Sequence, residues 1–175
     1  MKLGDGVEQA IHVVTLLGGM PQDGVISAAA LADFHGVSKS YLLKHLQSLS
    51  GAGILSTTPG PAGGYQLARA ARDISLLDIV LAVEGPAPAF RCKEIRQQGP
   101  SPLPREKYTR PCEINAAMLR AERAYRQELA KVTVAQLLRD LTEHDDGTIA
   151  ARGCAFAEQH LRRAKPISNP QRTRT

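Results

Sequence analysis

The sequence predicts a mainly α chain with one small β-hairpin wing, a winged helix-turn-helix domain followed by a long dimerisation helix. Three observations predict it. Two short helical segments are joined by a tight turn at His35 and Gly36. A glycine-rich hairpin sequence, ILSTTPGPAGGYQLA, follows the second of them. A helical run of about twenty residues from Glu113 then carries one narrow apolar stripe, the pattern of a helix that wants a partner helix.

The first helix is expected over about residues 5–17. Val7, Ala10, Ile11, Val13, Val14, Leu16 and Leu17 occupy nearly all sides of its wheel, which fits burial, including burial between subunits. Gly18, Gly19 and Pro21 end it. Ser27 caps a short helix through about Phe34. Ser38 caps the next, over about residues 39–50, with Tyr41, Leu42, Leu46 and Leu49 on its apolar stripe. Residues 54–58 and 65–68 read as the two strands of the hairpin, and Ser75 caps a helix that ends at Gly85 and Pro86. Six of the eleven prolines fall in residues 85–112, a long loop of the kind that carries function or lacks order. In the long helix, about residues 113–132, Ile114, Ala117, Met118, Ala121, Tyr125, Leu129 and Val132 form the stripe, with Arg120, Glu122 and Arg123 opposite. Thr133 caps a short helix to about Leu141, a weaker helix covers about residues 148–163, and the chain from Pro166 is polar. The expected organisation is a DNA-binding head in residues 1–85, a loop in 86–112, a dimerisation region in 113–141, and a C-terminal helix with a flexible tail in 142–175.

The chain has 175 residues, 43% hydrophobic and 22% charged, the mix of one globular domain with or without an appendage. No apolar run reaches the roughly 18 residues that span a bilayer. Asp5 and Glu8 sit where a signal peptide's charged-then-apolar pattern would be, so a cytoplasmic protein is expected. Three cysteines do not make a disulfide framework. Trp is absent and aromatics are 4%, which argues against a base-stacking platform for single strands. The net charge of +5 is unevenly spread: residues 1–90 hold five basic and seven acidic side chains, residues 91–175 seventeen and ten. A DNA-binding reading must therefore rest on particular residues.

Those residues are the polar side chains of the second helix of the pair. Ser38, Lys39, Ser40, Tyr41 and Lys44 suit base edges and phosphates, and His45 and Gln47 lie on the same helix. In the wing, Thr57 and the backbone around Gly63 add phosphate donors. The same pattern also suits a helical hairpin with solvated polar positions and an ordinary glycine turn.

Cys92 and Cys112 are separated by nineteen residues, without the close pairs of zinc sites or the spacings of ferredoxins. Spacing alone leaves a metal site and two loop thiols both open. Cys112 is expected to be reactive either way, because it opens a helix beside Arg110. Glu8 and His12 form an i,i+4 pair about 5–6 Å apart at Cβ. They could bind a metal or each other. Cys154 reads as a packed helix thiol. His35, His144 and His160 show no ligand pairing, and the basic residues Arg162, Arg163, Lys165, Arg172 and Arg174 read as a solvated tail, with nonspecific attraction to DNA as the alternative.

The run SKSYLLKHLQSLSGAGILSTTPGPAGGYQLARAARDISLLDIVLAVEG resembles the winged-helix regulator family that includes IscR, NsrR and RsrR. The shared features are Ser-x-x-Tyr-Leu at the start of the recognition helix, Leu-x-x-Ala-Gly at its exit, Gly-x-x-Gly-Gly-Tyr in the wing, and Leu-Asp-Ile-Val with Glu-Gly in residues 77–85. The resemblance covers roughly residues 1–141 and is nearest to the RsrR-like [2Fe–2S] redox sensors. It rests there on Glu-x-x-x-His in the first helix, Phe-x-Cys-x-Glu-Ile-Arg-Gln in residues 90–97, and Cys112. The resemblance implies a homodimer on a double-stranded DNA operator. It also implies a [2Fe–2S] cluster held by Cys92 and Cys112 of one subunit and Glu8 and His12 of the other. One-electron cycling, with His12 gaining a proton or loosening on reduction, would then move the first helix. Three departures stand out. The short loop of three cysteines and a histidine used by IscR-like members is absent; Tyr108 stands where RsrR-like chains can carry a further cysteine; and Pro59 stands where family wings often carry a basic residue.

Two rival readings remain at this level: a thiol–disulfide switch regulator without a cluster, and an iron–sulfur accessory protein that does not bind DNA. No nucleophile–base set, phosphate loop or catalytic carboxylate pair marks an enzyme, and no small-molecule substrate or membrane is implied.

Overall fold

The computed structural model describes residues 3–163. Helix α1 (Asp5–Gly18) buries Val7, Ala10, Val13, Val14 and Leu17 and leaves Glu8 and His12 exposed. It is buried on one face rather than all round. Helices α2 (Ala28–His35) and α3 (Lys39–Gly51) form the helix-turn-helix. Ser27 caps α2 by accepting from the Ala30 amide at 3.2 Å. Gly36 closes it in the left-handed region, φ 65°, which a residue without Cβ adopts freely. Ser38 stands at the cap of α3, but its Oγ lies 3.0 Å from Ser40 Oγ instead of on the backbone.

Strands β2 (Leu55–Thr58) and β3 (Gly64–Leu67) pair antiparallel as the wing. A two-residue strand that the sequence reading missed, β1 (Gly24–Val25), precedes α2, and the next residue, Ile26, exchanges both backbone hydrogen bonds with Tyr65 of β3. That approach requires Gly64: a Cβ there would sit 2.4 Å from the Ile26 carbonyl oxygen. Helix α4 (Leu76–Glu84) starts in a full capping box between Ser75 and Asp78.

The chain then leaves the head through residues 85–112, which contain two short 3₁₀ turns (Ile95–Gln97 and Arg105–Lys107), and returns along α5 (Glu113–Lys131). Helix α6 (Val134–His144) rejoins the head: the Val134 amide bonds Ile74 O, Leu76 bonds Val132 O, and Val134 and Leu138 pack on Gly18 of α1. So α6 belongs with the core of α1, α3 and α4 rather than with α5. Among the described residues no helix is long and apolar enough to cross a membrane.

The C-terminal helix is firmer and shorter than the sequence suggests. Helix α7 (Thr148–His160) ends before Leu161, and β4 (Arg162–Arg163) pairs antiparallel with β1. Arg162 and Arg163 are thus part of a strand and not of a solvated tail. Phe156 is buried against Phe34, ring centroids 4.5 Å apart. Cys154 is exposed, which corrects the packed-thiol reading: α7 turns Phe156 inward and Cys154 to solvent. The polar chain from Pro166, with Lys165, Arg172 and Arg174, lies outside the described residues.

Two histidines are held neutral by the fold. Burial lowers His35 to about 4, with His12 and Arg152 nearby adding to the effect. Burial also lowers His45, with Lys44 adding and Glu84 opposing. Unfolded histidine titrates near 6.5, so below that pH the unfolded chain takes up protons that the folded chain resists, and stability falls. Full stability is expected above about pH 6.5. After discounting for partial exposure, about 1 kcal/mol from His35 should be lost between about pH 7 and pH 5. Urea unfolding across this range should show that slope, and His35→Gln should flatten it.

Candidate DNA-binding face and cysteine centre

Helix α3 presents its polar edge outward because its apolar edge, Leu42, Leu46 and Leu49, is fully buried. Ser38, Lys39, Ser40, Tyr41 and Lys44 are exposed together, and Thr57 is exposed on β2. Strand β2 follows α3 almost directly and packs against it. Two residues differ from expectation. Gly63 is buried, its amide is spent on Gly60 O at 2.9 Å, and a Cβ there would meet Thr58 O. It closes the wing turn and offers DNA no donor. His45 is buried too, against Gly6 of α1 and edge-on to Tyr41, so it faces the core.

The second site lies at the entry to α5. Cys92, Cys112 and Glu94 bring their sulfur and carboxylate atoms within 4.8 Å of one another. Glu94 has φ 47°, and among the described residues it alone of the non-glycines has positive φ. This strained turn folds the chain back so that the Glu94 amide donates to Cys92 Sγ at 3.4 Å. Arg96 holds the other side: its Nε donates to Glu94 at 2.7 Å and its Nη2 to Arg110 O at 2.9 Å, two residues before Cys112. Tyr108 donates to Arg96 O at 2.9 Å and its ring lies under the guanidinium. Tyr108 is therefore a brace of the loop.

The loop's other end is fixed by Glu122 and Arg126. They pair at 2.6 Å, Glu122 accepts from the Ala89 amide, and Arg126 donates to Pro86 O and Ala87 O. Glu122 thus faces the loop, not the free side of α5. That free side carries Ile114 (66% exposed) and Met118 (44%), an apolar stripe with no cover in one chain among the described residues.

The thiols differ. The Asn115 amide at the start of α5 holds Cys112 below the ordinary thiol range; burial opposes this, and the Ile114 amide, Cys92 and Arg96 support it. For Cys92 the Glu94 amide favours the thiolate, but burial and the adjacent Cys112 outweigh it and the net shift is upward. Arg96 holds the Glu94 carboxyl below the usual carboxylate range. Glu8 and His12 stand apart from this group, exposed beside a shallow concavity lined by Leu3, Asp5, Val7 and Ile11. No hydrogen bond links them among the described residues; His12 instead lies near the His35 ring, centroids 5.8 Å apart.

A family model described as "Rrf2: Iron-dependent Transcriptional regulator" matches residues 3–140. The chain belongs to the Rrf2 family. YffB of Lactococcus lactis, named as a helix-turn-helix-type transcriptional regulator, is 34% identical over 137 residues, 78% of this chain and 86% of that protein. The structure of CymR, the global cysteine regulator of B. subtilis, superposes with TM-score 0.61 at 20% identity, covering 79% of this chain and 97% of that one. T. potens IscR gives TM-score 0.62 at 21% identity, covering 86% of this chain and 96% of that one. At these identities the two structures show the shared fold. YffB and CymR are both named as regulators.

The Rrf2 match ends before α7 and β4, so this C-terminal arm lies outside it. Sequence reasoning missed Glu94, Arg96 and Arg126 as builders of the cysteine centre. The only available signal was the spacing of Cys92, Glu94 and Arg96, which gives no hint that Arg96 reaches the segment before Cys112. In metal-free protein, iodoacetamide should modify Cys112 faster than Cys92 near pH 7.5, read by peptide mass spectrometry against the exposed Cys154. Equal rates would mean that the helix start does not activate Cys112.

Proposed function

We propose that this Rrf2 protein is a homodimeric, redox-responsive regulator that binds a double-stranded DNA operator and senses through a [2Fe–2S] cluster at the dimer interface. The observation that supports this most is the convergence of Cys92 and Cys112 at the start of a helix whose apolar stripe is uncovered in one chain. Two neighbouring sulfurs, one with a lowered thiol pKa, suit a soft metal centre. Cys92 and Cys112 would hold the cluster from one side and the partner subunit's Glu8 and His12 from the other. Bound there, the cluster supplies reversible one-electron exchange.

The chain's own residues have separate tasks in this reading. Arg96 neutralises Glu94 and ties the Cys92 turn to the segment before Cys112, while Glu122 and Arg126 anchor the loop to α5. The helix α5 with Ile114 and Met118 forms the dimer contact, and the two α3 helices enter successive major grooves. Residues 1–85 serve as the DNA-binding head and residues 86–112 as the cluster loop, in cytoplasmic protein.

Anaerobically purified protein should carry about two iron and two sulfide per chain. Glu8→Ala, His12→Ala, Cys92→Ala and Cys112→Ala should each lose or strongly change the visible spectrum. Iron-free protein after anaerobic reconstitution would sink the cluster. The proximity of the two thiols favours one second reading, a thiol–disulfide switch, and CymR is a cysteine regulator by name. Colourless protein that forms a Cys92–Cys112 bond with oxidant would establish that reading instead.

DNA binding has its own test. Lys44→Ala should weaken binding to an operator duplex several-fold and lower the salt dependence by about two counterions per bound dimer, one for each subunit. An unchanged salt slope would remove Lys44 from the interface, and a wild-type protein that binds no duplex would leave the accessory-protein reading.

A further inference from the structure

The wing has a deficit that its own sequence does not repair. From residue 54 to residue 68 there is no Lys or Arg, and the nearest cation, Arg69, donates to Asp73 O at 3.1 Å. The C-terminal arm brings a cation to that place. Helix α7 is docked on α2 by Phe156 on Phe34, by Arg152 over the Phe34 ring at 4.4 Å, and by Arg152 donating to Phe34 O at 3.1 Å. Leu161 then fills the space where Gly24 lacks a Cβ, and β4 pairs with β1 in register, Val25 opposite Arg162. From there Arg162 Nη1 donates to Pro61 O in the wing turn at 2.7 Å.

We propose that this arm forms part of the DNA interface, with Arg162 supplying at the wing tip the phosphate-binding cation that the wing itself lacks. The proposal rests on the DNA-binding reading above. Arg162 is exposed, makes no ion pair among the described residues, and spends one of its five N–H donors on Pro61. A guanidinium fixed by one donor keeps the others for a phosphate oxygen, and little side-chain freedom is left to lose on binding. Because β2 follows α3, a recognition helix seated in a major groove carries the wing to the flanking backbone, where such contacts set register. Arg163 follows in the strand, and the sequence after it adds Lys165, Arg172 and Arg174 with no acidic residue.

The test uses the full chain and a duplex of about 30 base pairs selected from a random library on the wild-type protein. Binding is measured by fluorescence anisotropy across a salt series for wild type, Arg162→Gln, Arg162→Lys and Lys44→Ala. Arg162→Gln should raise Kd about three- to tenfold near 150 mM salt and reduce the salt slope by about two, one for each subunit of the bound dimer, while Arg162→Lys keeps the slope. A higher Kd with an unchanged slope would mean that Arg162 only steadies the wing through Pro61, and would overturn the proposal. So would an unchanged Kd in a protein whose Lys44→Ala variant binds weakly. If the wild-type protein selects no duplex, the DNA-binding reading fails and the role of the arm fails with it.

Discussion

Burial of one face of α1 is the constraint on which the rest of this structure depends. Val7, Ala10, Val13, Val14 and Leu17 are almost fully removed from water, each valine and leucine contributing about 1.5–3 kcal/mol. Helices α3, α4 and α6 and the wing strand β3 all pack around α1. The polar edge of α3 is exposed because its leucines are committed to this core. The same burial leaves Glu8 and His12, one turn apart, on the uncovered edge of α1.

The cysteine centre follows a different logic. No apolar core holds residues 85–112; charged and backbone groups do. Arg126 grips the start of the loop through two carbonyls, and Arg96 spans from the Glu94 carboxylate to the Arg110 carbonyl. Each arginine bridges segments that a short side chain could not reach, and each is neutralised by a glutamate four residues or two residues away. The left-handed backbone at Glu94 is tolerated because these contacts fix it from both sides. The result is a polar scaffold that brings two thiols together without enclosing them.

What could be read in the sequence follows from this division. The helices, both wing strands and the caps at Ser27, Ser75 and Thr133 depend on local periodicity and turn chemistry, and they were legible. Strands β1 and β4 were not, because two residues carry no period and their pairing joins positions 24 and 163. The burial of His45 was hidden for a similar reason. Its neighbour is Gly6, whose lack of a side chain makes room for the ring, and a glycine in a helix announces no contact. Gly63 was legible as a turn residue but not as a buried one, since its burial is set by the carbonyl of Thr58 across the turn. At the cysteine centre the two thiols were legible, while Arg96 and Arg126 were not, because an arginine's reach of several residues leaves no fixed spacing.

The contact between Gly6 and His45 also ties the first turn of α1 to the recognition helix. The His45 ring occupies the position of the absent Gly6 Cβ, 2.3 Å from where that atom would be. Gly6 is two residues from Glu8 and in the same turn, and His45 is one residue from Lys44 on α3. A tightly packed interior transmits displacement because it has no free volume to absorb it. A shift of the first turn of α1 toward α3 therefore must move the ring, and with it the helix that carries Lys44, or be resisted by it. The Gly4 amide, bonded to Glu84 at 3.0 Å, ties the same turn to the end of α4, where the chain leaves for the cysteine loop. The start of α1 is thus the point at which the recognition helix, the Glu8–His12 edge and the root of the loop meet.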